Sequence, residues 1–171
     1  MKFAFERRER VSEEMRGCII LLEAIVNSFP ETAGADYSEI TLYDNKNNAF
    51  TFAAATEADR DAIFSGRKID YAMDENKKIF SQKVMESGNP LIIDNVEDYK
   101  MSDADADMVN RLSIRSTAIF PMFSGKKFIG SISFDHSAHI HKYSKEDINR
   151  MHALADLAAH MIGYAEMMAT Q

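Results

Sequence analysis

Three short stretches and two single residues hold side chains whose types and spacing could do chemistry. DHSAHIH, Asp135 to His141, sets three imidazoles beside a carboxylate. These are ligand types for zinc or a similar ion, but no second cluster is available to fix a coordination geometry. A solvated loop between a strand and a helix is the plainer reading. DADAD, at 103–107, has the acids of a calcium loop without its frame. An EF-hand wants glycine at its sixth position and glutamate at its twelfth, and Met108 and Ile114 stand there. Ser102 followed by Asp105 fits a helix N-terminal cap instead, with Asp103, Asp105 and Asp107 suited to a first turn. SGKK, Ser124 to Lys127, is not a phosphate loop. That pattern needs an earlier glycine and a Ser or Thr after its lysine, and Phe120 and Lys127 occupy those places. Arg115, beside Ser116, is a cation at the start of a strand. It either pairs with an acid such as Asp94 or meets an anionic ligand. The single thiol, Cys18, rules out an internal disulfide and any multi-cysteine metal site. It falls on a helix seam, where a core or interface role outweighs a nucleophilic one. There is no Ser-His-Asp arrangement.

The elements that must position these residues follow from periodicity. Val11, Met15, Cys18, Leu22, Ile25 and Phe29 recur at steps of four and three, a heptad seam on a helix from about Glu6 to Phe29. Pro30 is expected to stop it, leaving ETAGAD as a loop. YSEITLY and AFTFAAA flank the turn DNKNN and predict a hairpin from Tyr37 to Ala55. A short helix is expected at Glu57 to Phe64, and another from Glu75 to Ser87, capped by Gly88. Asn89-Pro90 opens a strand, LIID. A helix from Ser102 to about Ser113 comes next. RSTAIFPMFSGKKFIGSISFD, Arg115 to Asp135, reads as strand, turn, strand. Ser144 then caps a long helix, Lys145 to about Met168, with an apolar face of Ile148, Met151, Leu154, Ala155, Ala158, Ile162 and Ala165. His152 and His160 fall on its surface.

Inside the second hairpin, Pro121 lacks an N–H and predicts an edge or bulge position. Gly130 predicts a close approach to the sheet by a helix or ligand. Ser131, Ser133 and Asp135 alternate with Ile132 and Phe134, so this strand has one polar and one apolar face.

At 171 residues and 46% hydrophobic content, one domain with one core is the expectation. A net charge of −7 repels phosphate backbones and anionic lipid heads, which argues against nucleic-acid and membrane partners. No apolar run approaches the ~18 residues of a membrane span, and the first residues have no signal-peptide core, so a cytoplasmic protein is expected.

Four pieces of the second half, in order, resemble a known family: Gly88-Asn89-Pro90 before a short strand; Ser116 to Pro121; Ile129-Gly130 to Phe134; and Tyr143-Ser144 to Asp147. Together they resemble the GAF domain, a small-molecule sensory and regulatory module. The resemblance covers the whole chain in element order. It implies an α+β fold: a GAF-like central antiparallel β-sheet, N- and C-terminal helices packed on one face, loops and short helices on the other. One domain would span 1–171, with an N-terminal helix (1–30), sheet and pocket elements (37–135) and a C-terminal helix (144–168). The implied function is a cavity beside the sheet for a small molecule of unknown identity, relayed through terminal helices that pair into a homodimer, to a signalling partner in cis or in trans. Tyr43, Phe52, Ile93, Asp94, Arg115, Phe120, Phe134 and Asp135 are the ligand-binding candidates. No catalytic or metal-binding residue and no cofactor is assigned. The alternative is a ligand-free dimerisation or partner-docking domain. Members that reduce methionine sulfoxide use several cysteines, and bilin-binding members need a thioether Cys or an Asp-Ile-Pro type motif; this chain offers neither. Cyclic-nucleotide binding is a weaker reading, because Asp135-His136 stands where that branch has Asn-Lys. A His136–Asp147 pair would have to replace the lysine.

Overall fold

The computed structural model describes residues 19–56 and 70–169. There the chain runs α1 (Ile19–Ala33), β1 (Tyr37–Asp44), β2 (Ala49–Ala55), β3 (Asp70–Ala72), α2 (Phe80–Ser87), β4 (Leu91–Ile93), a 3-10 turn (Val96–Asp98), α3 (Asp103–Arg111), β5 (Ser116–Ser124), β6 (Lys127–His136) and α4 (Lys145–Ala169). The strands form one antiparallel sheet in the order β3-β2-β1-β6-β5-β4. This is the α+β layout expected from the sequence, with one strand, β3, that the periodicity did not reveal.

Strand register sorts the side chains. Ile40 pairs with Ile132, and Ile132 with Phe120; Ser38, Phe134 and Ala118 form the next row. These rows face α1 and α4, where Leu22, Ile25, Val26, Met151, Ala155, Ala158 and Ile162 close one apolar core. The alternate rows face α2, α3 and the loops around them. There Phe52, Phe80, Val84, Ile93, Met108, Val109, Ile114 and Ile119 form a second core.

Three departures from the sequence expectations have local causes. Helix α1 runs through Pro30 to Ala33 rather than stopping before it. Proline cannot donate to the carbonyl four residues back, and the Thr56 hydroxyl at the end of β2 donates to that carbonyl, Val26 O, at 2.9 Å. Helix α2 begins at Phe80 rather than Glu75. Asp74 Oδ1 accepts from the amides of Asn76 (2.8 Å) and Lys77 (3.2 Å), folding that stretch into a turn. The close approach at Gly130 comes from a neighbouring strand, not a helix or ligand: a Cβ there would lie 2.3 Å from Thr41 O of β1.

Other expectations hold. Gly88 adopts the left-handed conformation and donates to Val84 O, closing α2. Pro121 lies past the end of β4, whose ladder stops at Ile119, so no partner on that side requires its N–H. Cys18, the earlier part of the seam and the helix expected at Glu57 to Phe64 lie outside the described residues.

Candidate functional site

The polar face of β6 is the place to build from. Ser131, Ser133 and Asp135 alternate along it, and the register brings Thr41 opposite Ser131, Glu39 opposite Ser133, and Thr117 opposite Asp135. Helices α2 and α3 cross over this patch. Between them and the sheet lies a cavity of about 20 Å³, lined by these residues with Phe52, Phe80, Ser81, Asp105, Met108, Val109, Ile114 and Ile119. That is room for about one water molecule.

Three carboxylates line this one cavity, all nearly sealed from solvent: Glu39 (3% exposed), Asp105 (2%) and Asp135 (1%). Asp135 and Asp105 have distinct settings. Asp135 accepts from Thr117 Oγ1 at 2.5 Å and from Ser133 Oγ at 2.9 Å. Burial pushes its pKa up to about 6, although both hydroxyl bonds oppose the rise. Both hydroxyls are placed to donate to the carboxylate. Asp105 receives the Ser102 hydroxyl (2.7 Å) and reaches across to the first amide of α2, Phe80 N, at 3.1 Å. The N-terminus of α2 has no cap of its own, since Ile79 precedes it. Asp105 thus supplies that cap from another helix and ties α2 to α3. Ser81 and Ser131 close the far side, oxygen to oxygen at 2.9 Å.

Of the eight candidates, only Phe52 and Asp135 line this cavity. Ile93 is buried in the same core without reaching it. Phe120 and Phe134 pack against each other on the opposite face, under α4, because their register rows point there. Tyr43 lies at the hairpin end of β1 against Phe50 and Phe128, with its hydroxyl on Asn48. Asp94 accepts the Tyr143 amide at 3.0 Å and so holds the start of α4. Arg115 is exposed and lines a separate groove; the Asp94–Arg115 pair is not formed. Sequence reasoning missed Glu39, Thr41, Ser81, Asp105 and Thr117. The alternation Glu39, Thr41 in β1 was a usable signal for two of them, once β1 is laid beside β6.

The histidine loop is a packed corner. His136 is buried, stacks on His141 with centroids 4.1 Å apart, and approaches Tyr143 Oη (3.1 Å) and Gly34 O (2.9 Å) with its two ring nitrogens. Burial holds its pKa below the usual imidazole value, only partly offset by the Gly34 carbonyl. Among the described residues no group of three His, Cys, Asp or Glu is placed to hold a metal ion. The His136–Asp147 pair is not formed either. Asp147 takes His141 (3.3 Å), the amide and hydroxyl of Ser144, and Arg150 (2.7 Å). Burial would raise its pKa, but the Ser144 and His141 bonds prevail and bring it to about 2.

A family model described as "GAF domain" matches residues 20–163. The chain belongs to the GAF family. Among solved structures, a cyanobacteriochrome TePixJ GAF domain superposes with a TM-score of 0.71 at 12% identity, covering 87% of this chain and 91% of that one. The GAF domain of a Coxiella burnetii phosphoenolpyruvate-protein phosphotransferase gives 0.69 at 12%, covering 99% and 94%. A free methionine-R-sulfoxide reductase from Neisseria meningitidis, solved with its substrate, gives 0.66 at 15%, also covering 99% and 94%. At these identities the likeness establishes the fold. None of the curated proteins matches. Among the described residues, no helix is long and apolar enough to cross a membrane.

Proposed function

We propose that this GAF domain is a non-catalytic sensory module of the cytoplasm whose ligand carries a cationic, donor-rich group that enters the acid-lined cavity. The observation that carries the reading is the convergence of Glu39, Asp105 and Asp135 on one nearly solvent-free space. Asp135 is held by two neutral hydroxyls; a buried carboxylate is costly without a charged partner, and a bound ammonium or amidinium group would offset that cost. An ammonium head is about the size of the water the cavity admits. A larger body would require α2 and α3 to lift, and Asp105 links the two helices through Phe80 N. The single cysteine supports the non-catalytic reading, since the thiol chemistry of sulfoxide-reducing members uses several.

The output would pass to the terminal helices. On α4, Leu157, Tyr164 and Met168 are 49%, 62% and 51% exposed, and on α1 Ile20 is 73% exposed. Large apolar side chains on outward helix faces suit pairing with a second copy, which then signals to a partner in cis or in trans. Leu157→Glu with Tyr164→Glu should convert a dimer to a monomer in light scattering.

One observation favours the ligand-free alternative: the protein's own side chains leave only about 20 Å³. Native mass spectrometry of the purified chain, followed by titration with methylammonium and ethylammonium, separates the two. Retained mass, or saturable amine binding that Asp135→Asn weakens, supports the sensor. An empty chain indifferent to amines leaves the docking scaffold.

A further inference from the structure

Val109 and Ile114 have two sides. One lines the acidic cavity; the other forms the floor of an open groove of about 560 Å³ between α3, the 3-10 turn and the histidine loop. Its volume lies in the ~300–1,000 Å³ range of small-molecule sites. Its chemistry is opposite to that of the cavity. Val96 and Ile114 are buried beneath it, and Ile140, 50% exposed, forms an apolar wall.

The rim carries donors. Arg115, Asn110 and Ser113 line the groove, and among the described residues none of their side chains makes a hydrogen bond or ion pair. The acid that could have neutralised Arg115 is turned away, because Asp94 is engaged with the Tyr143 amide. The backbone between α3 and β5 bends sharply to bring these residues to one rim. Ser113 has φ +53°, a left-handed conformation that costs a non-glycine residue energy and tends to persist where the surrounding structure enforces it. The carbonyls of Met108, Val109 and Asn110 at the end of α3 are taken by the amides of Leu112, Ile114 and Ser113. The rim therefore offers side-chain donors rather than free backbone acceptors. Among the described residues, Glu97 is the one acid that lines the groove. One cation against one acid favours a singly charged anion over a doubly charged phosphate.

We propose that this groove is a second ligand site, for small organic monocarboxylates with an apolar body. The carboxylate accepts from the Arg115 guanidinium, with Asn110 and Ser113 as further donors, while the body lies on Val96, Ile114 and Ile140. A planar guanidinium matches a carboxylate with two parallel bonds. The site does not depend on the acid-lined cavity, and the two share only the Val109–Ile114 wall. A ligand that moved that wall would be felt on both sides.

The test is an amide NMR titration of the full chain with hexanoate, acetate, hexylammonium and inorganic phosphate. Hexanoate should shift Ser113, Arg115 and Ile140 saturably, and acetate should bind more weakly. Arg115→Ala should lower hexanoate affinity roughly tenfold or more, as loss of a charge-assisted pair does. Asn110→Ala should lower it a few-fold. Both positions are exposed, so the variants should keep the wild-type spectrum elsewhere. Non-saturating shifts overturn the proposal, as does an Arg115→Ala variant that binds normally. Equal binding of hexylammonium would reduce the site to a greasy surface, and equal binding of phosphate to a bare cation. Shifts confined to Thr117, Ser131 and Ser133 would mean that hexanoate enters the acidic cavity instead.

Discussion

The two faces of one sheet solve opposite problems. On the helix face, Phe120, Phe134, Ile132 and Met122 are fully buried against α1 and α4. On the other face, the same strands present Thr117, Ser131, Ser133, Asp135, Glu39 and Thr41 to a space for one water. Alternation along a strand lets one segment serve both. The difference separates two kinds of cost. Burial on the first face is rewarded residue by residue through the area removed from water. Burial of three carboxylates on the second is unfavourable in itself and is retained beneath two short helices.

That contrast can be broken at several points. The largest effect should come from the helix face: Phe134→Ala should destabilise the fold by about 3–5 kcal/mol, read from urea midpoints, and equally at pH 5 and pH 8. A strong pH dependence of that loss would mean that the faces are coupled. On the polar face, Asp135 should give the opposite pattern. Its folded pKa, about 6, lies above the unfolded carboxylate value of 3.8. The native state therefore holds its proton longer. The favourable contribution is complete below the unfolded pKa and is lost as pH rises through about 6. Asp135→Asn should remove a decline on the order of 1–3 kcal/mol between pH 4 and pH 8, and should leave the variant at least as stable as wild type at pH 8. A steeper decline in the variant would reverse the sign assigned to this group.

Asp105→Ala should cost about 1–2 kcal/mol, the usual scale for losing a helix cap. Hydrogen exchange should quicken at the start of α2 as well as in α3, because one carboxylate accepts from Phe80 N and from the hydroxyl of the α3 cap, Ser102. Acceleration in α3 alone would show that the bridge to Phe80 contributes little. The smallest effect should be Tyr43→Phe, at about 1 kcal/mol or less. Its hydroxyl meets Asn48 at the exposed hairpin end, remote from both faces of the contrast.

How far the sequence could be read divides along the same line. The apolar rhythm of Ile132 and Phe134, the cap signal at Ser102 and Asp105, and Gly88 after a helical run all concern neighbours in the chain, and each placed its element. The cavity depends on pairing between strands. Thr117 comes opposite Asp135 only once β5 and β6 are in register, and Glu39 opposite Ser133 only once β1 joins them. Phe120 and Phe134 stand among the ligand-binding candidates, and only strand register shows that they turn to the core under α4. The Ser102–Asp105 spacing shows the local cap, while the second bond of Asp105, to a helix more than twenty residues earlier in the chain, leaves no trace in spacing.

Pro30 and Thr56 illustrate what this implies for how such a chain can change. The proline leaves one carbonyl of α1 without its helical donor, and a hydroxyl from the end of β2 fills that vacancy while also holding Ser38 N at 2.9 Å. The two positions are therefore tied as a substitution pair. A lineage that replaced Pro30 with alanine would let the helix bond to itself and leave the Thr56 hydroxyl with Ser38 N alone to hold. One that replaced Thr56 first would carry a defect until the proline was lost. The order in which these residues can be exchanged is written in a single hydrogen bond.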